Sequence, residues 1–399
     1  MPIPNAETDK LADRRTTFAV KAASPASVHL DALRGAAAIA VFLTHWRALF
    51  FVDFPQVAHI NVPLKLLYEL SGLGHSAVMV FFVLSGFLIA STISRAMSQG
   101  RWSWGWYAEQ RLTRLYVVLL PALILGAVWD SAGLHLFRHA SVYHAAPDYF
   151  FILKYPVIQH LTLRDWLGSL FFLQGIRTKV FGTNGPLWSL SYEFWYYVIF
   201  PLGLLFFARS SRFWVRLFCA GLGLLLLAFV GKVIALYFLV WLLGAALCVC
   251  PAVRFAQSKA VGVVLGLLFV LSLLAPGLKL VANGLESDSF VALTFAAFLY
   301  FVLHFKHRTP GPLYTRAAQG LSNISYSLYL IHVPVLVFLN ALLLGPSRRW
   351  QPTLFHLAEG LLVAAVVFLY TCAIWSVTEA RTGWVRAKIT RFAGRRAAA

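Results

Sequence analysis

With 399 residues, 60% of them hydrophobic and only 12% charged, the chain has the composition of a membrane protein; soluble domains carry about 25% charged residues. The formal net charge of +19 does not mark a nucleic-acid binder, because the basic residues lie between apolar runs and at the two ends, the positive-inside pattern of a multispanning protein. The four cysteines (Cys219, Cys248, Cys250 and Cys372) fall inside apolar segments, where inert thiols are expected rather than disulfides or a metal site.

Residues 1–25 are polar and mixed in charge, without the apolar core or cleavage site of a signal peptide, and are expected to form a disordered cytoplasmic arm. Ten apolar segments of spanning length follow, at about 32–51, 73–93, 115–134, 187–208, 213–230, 233–250, 260–280, 288–305, 323–345 and 353–377. They predict an all-α polytopic bundle of about ten transmembrane helices within residues 26–380, followed by a basic cytoplasmic tail at 381–399. With the N-terminus inside, the inner segments collect 22 Lys and Arg residues and the outer ones 11, with Arg34 the remaining one of 34. That bias places both termini in the cytoplasm and the protein, multi-pass, in the inner membrane. The longest connection, about His135–Pro186, then faces outward and holds an apolar stretch, Trp166–Gly175, too short to cross and expected to be re-entrant or interfacial.

Ionisable groups inside apolar segments are candidate functional residues by default. In LDALRGAAAIAVFLTHW, Arg34 and His45 are eleven residues apart. At 3.6 residues per turn they share one helix face, roughly 16 Å apart along the axis. Asp31 is placed to cap this helix and to pair with Arg34. Next, in QRLTRLYVVLLP, Arg111 and Arg114 put two guanidinium groups on one side of a helix, a fork suited to phosphates, with simple anchoring at the inner surface as the other reading. In NGPLWSLSYEFWYY, a turn precedes Trp188, Ser189, Ser191 and a carboxylate, Glu193, whose candidate partners are His45, His332 or an arginine. Finally, in ISYSLYLIHVP, Ser325, Tyr326, Tyr329 and His332 recur at three- and four-residue steps before Pro334, which should bend the helix. Asp130, Glu359 and His75 are further ionisable groups in or near spans with no role legible in the sequence. His135, His139 and His144 have only partial metal-ligand spacing, and a solvated face is the expected reading.

Taken in this order, LDALRGAAAIAVFLTHW, FFVLSGFLI (Phe81–Ile89), RLTRLY, GPLWSLSYEFWYY and SYSLYLIHVP resemble the acyltransferase 3 family, integral-membrane O-acyltransferases such as bacterial O-antigen and nodulation-factor acetylases. The resemblance covers about Ser27–Glu379. Two departures stand out: Met79 where many members carry an acid, and Val117 where many carry proline. The resemblance implies a cytoplasmic acyl-CoA donor, acetyl-CoA by preference, no metal, and a hydroxyl acceptor that is often a carbohydrate or glycolipid. Arg111 and Arg114 match the family's donor-contacting pair and His45 its essential histidine. On this reading Arg34, Arg111 and Arg114 hold CoA phosphates, and His45 acts as general base or transient acyl carrier. Glu193 and His332 are further catalytic candidates, with Glu193 orienting His45 as a third triad member would. Trp188, Ser189 and Tyr326 are candidates for contacting substrate or the developing oxyanion. A proton-coupled transporter or flippase, with His and Glu as a relay, is the alternative that the spans alone leave open.

Overall fold

The computed structural model describes residues 25–397 apart from 209–211, 276, 278–279 and 283. The expected N-terminal arm before residue 25 and the last two residues of the tail lie outside the described residues. Thirteen α-helices occur among the described residues, linked by short 3₁₀ turns. In chain order they are α1 (Pro25–Phe50), α2 (Val62–Leu70), α3 (Gly74–Ser98), α4 (Trp104–Leu136), α5 (Leu163–Leu170), α6 (Leu187–Phe207), α7 (Phe213–Val230), α8 (Lys232–Ala246), α9 (Lys259–Leu274), α10 (Leu285–His304), α11 (Pro312–Leu344), α12 (Leu354–Val377) and α13 (Thr382–Ala397).

Each of the ten predicted apolar segments contains a helix, but among the described residues eight helices are long and apolar enough to cross a membrane: α1, α3, α4, α6, α7, α10, α11 and α12. The apolar helices α8 and α9 have 15 and 16 residues, short of the ~20 that a hydrocarbon core about 30 Å thick requires. The protein is thus a multi-pass membrane protein with two shorter apolar helices inside the bundle or at its rim. The stretch expected to be re-entrant overlaps α5, eight residues with Leu163 and Leu167 exposed, a length of roughly 12 Å that suits an interface and not a crossing. The tail beyond residue 381 is helical as α13, and Thr390 donates a hydrogen bond from it to Glu109 of α4.

Helix starts follow capping chemistry. The side chains of Asn61, Ser103, Thr162 and Thr353 accept N–H groups of the first turns of α2, α4, α5 and α12. Proline inside a helix leaves the carbonyl four residues earlier without its backbone donor. Two of these carbonyls receive side chains instead. Pro334 frees the Leu330 carbonyl, which accepts Asn184 Nδ2 at 2.7 Å, and Pro201 frees the Tyr197 carbonyl, which accepts the Tyr107 hydroxyl at 3.0 Å. Both helices therefore run through their prolines unbroken.

The connection between α4 and α6 is a packed structure and not a loose loop. Asp130, buried in α4, accepts both the backbone N–H and the hydroxyl of Thr183 at 2.8 Å. Gly182 beside it has φ +57, and a Cβ there would strike the Asp130 carboxylate, so glycine is required on both counts. At the other end of α1, Asp53 is held by both terminal nitrogens of buried Arg349, at 2.7 and 3.1 Å, and by Arg47 at 3.6 Å.

Candidate active site

The site is built on α1 and α11, the most extensively packed helix pair in the bundle. Their close approach depends on Gly35, where a Cβ would lie 2.7 Å from the Leu321 Cβ. Two of the hydrogen-bonded rungs between them lie at the site. At one, Arg34 Nη2 donates to the Ser322 carbonyl at 3.2 Å, and the Ser322 hydroxyl donates to Asp31 Oδ1 at 2.7 Å. At the other, His332 Nε2 lies 3.0 Å from His45 Nδ1. Because both residue numbers rise together from rung to rung, α1 and α11 run parallel. Asp31 pairs with Arg34 at 3.5 Å as expected, but it caps nothing: α1 begins at Pro25, six residues earlier, so Asp31 is already inside the helix and serves the rung to α11.

Hydrogen-bond partners assign the histidine tautomers. His332 Nδ1 lies 2.7 Å from the Leu328 carbonyl, and His45 Nδ1 lies 2.9 Å from the Val41 carbonyl. Carbonyls only accept, so each Nδ1 carries a proton. The His45 Nδ1–H is then shared between the Val41 carbonyl and His332 Nε2. This leaves His45 Nε2 as an unprotonated nitrogen. His332 is fully buried while His45 is partly exposed, so His332 supports and His45 presents.

A cavity of about 230 Å³ is lined by Arg34, Arg111 and Arg114 together with Ser85, Ser189, Glu193, Tyr197, Tyr326 and Tyr329. Glu193 is the carboxylate among its wall residues, and Asp31 pairs with Arg34 from outside the wall. Arg34 Nε and Arg111 Nε are buried without a protein hydrogen-bond partner, and no ion pair involves Arg111 or Arg114 among the described residues. Aromatic rings hold the two arginines in place: Arg111 lies over Tyr107 and Tyr197 at 5.6 and 6.0 Å, and Arg114 over Tyr326 at 5.9 Å. Half-buried guanidinium groups with donors left unbonded are suited to phosphate oxygens.

His45 lines a second, larger cavity of about 690 Å³ with Thr44, His75, Tyr155, Lys179, Trp188, Tyr192 and Tyr237. No carboxylate lines it among the described residues. Val78 and Tyr329 belong to the walls of both cavities, so the arginine cavity and the His45 cavity lie back to back across these two side chains. Tyr329 is fixed there by Ser189, whose Oγ is 2.6 Å from its hydroxyl.

The structure thus brings Arg34, Arg111, Arg114, Glu193, Ser189 and Tyr326 together around one cavity and sets His45 and Trp188 in the next. It does not join Glu193 to His45 by any hydrogen bond. The Glu193 carboxylate instead accepts from Ser85 at 2.7 Å and from Tyr197, one turn along α6, and it is His332 that holds the His45 ring. The Tyr326 hydroxyl donates to the Leu115 carbonyl at 3.3 Å. Ser85 and Tyr197 are wall residues that the sequence did not single out, and Tyr329 shares a helix face with Tyr326 and His332 in the sequence without a role of its own. Ser85 lies in the FFVLSGFLI segment, and its hydroxyl, the one polar group there, was the signal available.

A family model described as an acyltransferase domain matches residues 28–378. Acyltransferase MdmB of Streptomyces mycarofaciens is 31% identical over 175 residues, which are 43% of this chain and 38% of that protein, so the alignment spans well under half of either. No solved structure gives a significant match. With nearly its whole described length matched, from residue 28 to residue 378, the chain belongs to the acyltransferase 3 family.

Proposed function

We propose that the protein is a membrane O-acyltransferase that moves an acyl group, acetyl being the expected one, from cytoplasmic acyl-CoA to a hydroxyl of a cell-envelope or secreted glycan or glycolipid. The observation that carries this reading is the pair of cavities back to back: three arginines in one, His45 in the other, with Val78 and Tyr329 between them. CoA phosphates suit the arginine end, and the acyl thioester, at the end of a long flexible arm, suits the partition beside His45. The positive-inside bias supports the arginine end as cytoplasmic and both termini as inside, and α8 and α9 complete ten crossings where the bilayer thins around short helices. The relative named acyltransferase agrees with the chemistry.

In this reading the His45 Nε2 lone pair takes either the acceptor's proton or the acyl group itself, and the Val41 carbonyl and His332 together hold the tautomer that keeps that lone pair free. The test uses membranes containing the full chain, supplied with radiolabelled acetyl-CoA. Parental membranes should form base-labile labelled ester, and His45→Ala membranes should lose roughly 10²- to 10⁴-fold of that rate, the usual contribution of acid–base catalysis. Undiminished transfer by His45→Ala would refute the mechanism. Proton-driven solute uptake without ester formation would decide for transport.

A further inference from the structure

His75 stands in the wall of the His45 cavity, and nothing in the mechanism above uses it. It is placed there by a direct link between its helix and that of His45. The backbone N–H of Gly74 donates to Thr44 Oγ1 at 2.8 Å, so the residues immediately before His45 and His75 are hydrogen-bonded to each other. A Cβ at Gly74 would sit 2.5 Å from that hydroxyl, so the approach needs glycine. The imidazole is then held on two sides. Its Nε2 lies 2.9 Å from Asp288 Oδ2, and its ring stacks on Trp188 with centroids 6.0 Å apart and planes 21° from parallel.

Asp288 is built as a holder. It is 2% exposed, it accepts a second hydrogen bond from the Tyr237 hydroxyl, and it lies in the first turn of α10, where the helix N-terminus favours negative charge. A carboxylate only accepts, so His75 Nε2 carries the proton. Its Nδ1 is left as the acceptor nitrogen, without a hydrogen-bond partner among the described residues. The His75 side chain is 53% exposed and also lines an adjoining cavity of about 480 Å³ with Arg47, Asp53, Tyr68 and Glu69.

We propose that His75, positioned by Asp288, Tyr237 and Trp188, is the base that takes the proton of the acceptor hydroxyl. The proposal rests on the acyl-transfer reading above and assigns the two histidines separate tasks. His45 Nε2 bonds to the acyl carbon as the carbon–sulfur bond breaks and the thiolate leaves. The acceptor oxygen then bonds to that carbon, its proton goes to His75 Nδ1, and the carbon–nitrogen bond returns its electron pair to His45. The proton passes from His75 to water through the adjoining cavity, and the thiolate takes one from water on its own side. The net products are ester and free thiol. His75 and His45 touch the reacting atoms; Asp288, Tyr237 and Trp188 are positioning residues.

The experiment measures labelled ester formed from radiolabelled acetyl-CoA on the endogenous acceptors of membranes containing the full chain. His75→Gln should lower kcat roughly 10²-fold or more, with KM for acetyl-CoA unchanged within about twofold. Asp288→Asn should lower kcat at least about tenfold by releasing the wrong tautomer. In His75→Ala, added imidazole should restore part of the rate, which a purely structural role does not allow. A parental rate in His75→Gln, a loss carried entirely by KM for acetyl-CoA, or a kcat loss that imidazole does not relieve would each overturn the assignment while leaving the acyl-transfer reading in place. Parental membranes that form no ester would overturn both.

Discussion

His332 holds His45 by its Nε2, 3.0 Å from His45 Nδ1, across the interface of two parallel helices. The Leu328 carbonyl at 2.7 Å fixes the proton on the far nitrogen of His332, and the Val41 carbonyl at 2.9 Å fixes the proton on His45 Nδ1, so two backbone oxygens set the direction of the chain of hydrogen bonds. The consequence is a His45 ring with its Nε2 lone pair available and its orientation locked from behind.

Removing that support should impair chemistry and not binding. His332→Ala is expected to lower kcat for ester formation at least about tenfold by removing the side chain that orients the His45 ring, with little change in KM for acetyl-CoA. Steady-state kinetics on membranes separates the two parameters. A rise in KM with kcat intact would assign His332 to donor binding instead.

The arginine cavity should behave in the opposite way. A hydrogen bond to a charged partner contributes about 1.5–3 kcal/mol, so Arg111→Ala or Arg114→Ala should weaken acetyl-CoA use roughly 10- to 150-fold in KM. Arg111→Lys should recover only part of this, because an ammonium lacks the planar fork. An unchanged KM in both alanine variants would make the pair an anchor at the membrane surface.

The Asn184 side chain and Pro334 should be energetically coupled. Asn184→Ala strands the buried Leu330 carbonyl and should destabilise the protein by about 1–3 kcal/mol. In a Pro334→Ala background the new backbone N–H reaches the same carbonyl, so the second loss should be smaller. Thermal unfolding in detergent of the parent, both single variants and the double variant gives the coupling directly; strictly additive losses would contradict it.

Asp53 should contribute an acid-sensitive element of stability. Its hydrogen bonds to Arg349, with Arg47 nearby, hold its carboxyl below the ordinary value of 3.8. A carboxyl lowered by folding stabilises the native state fully above the ordinary value, and that contribution disappears as the pH falls through the lower, folded value. Melting temperatures of the parent and Asp53→Asn should therefore differ near neutral pH and converge as the pH drops below about 3.8. A gap that persists into strong acid would show that the bridge contributes shape and not charge.

Much of this molecule is decided by local sequence. The apolar runs specify helices because in lipid a backbone must satisfy its own hydrogen bonds, and each of the ten predicted segments contains one, eight of them long enough to span. The 3.6-residue period puts Arg34 and His45 on one face, and the spacing of Arg111 and Arg114 likewise sends both toward one cavity. What tertiary structure alone decided is partnership across helices. Glu193 had His45, His332 or an arginine as candidate partners in the sequence, and packing gave it Ser85 and Tyr197. His75 and Asp288 are 213 residues apart, and Asn184 and Leu330 are 146 apart. Nothing in either segment announces the other. A hydrogen bond is made over about 3 Å, a distance that depends on which helices lie side by side. Small residues such as Gly35 and Gly74 set that adjacency through the close contacts they permit, and such contacts leave no periodic trace in the chain.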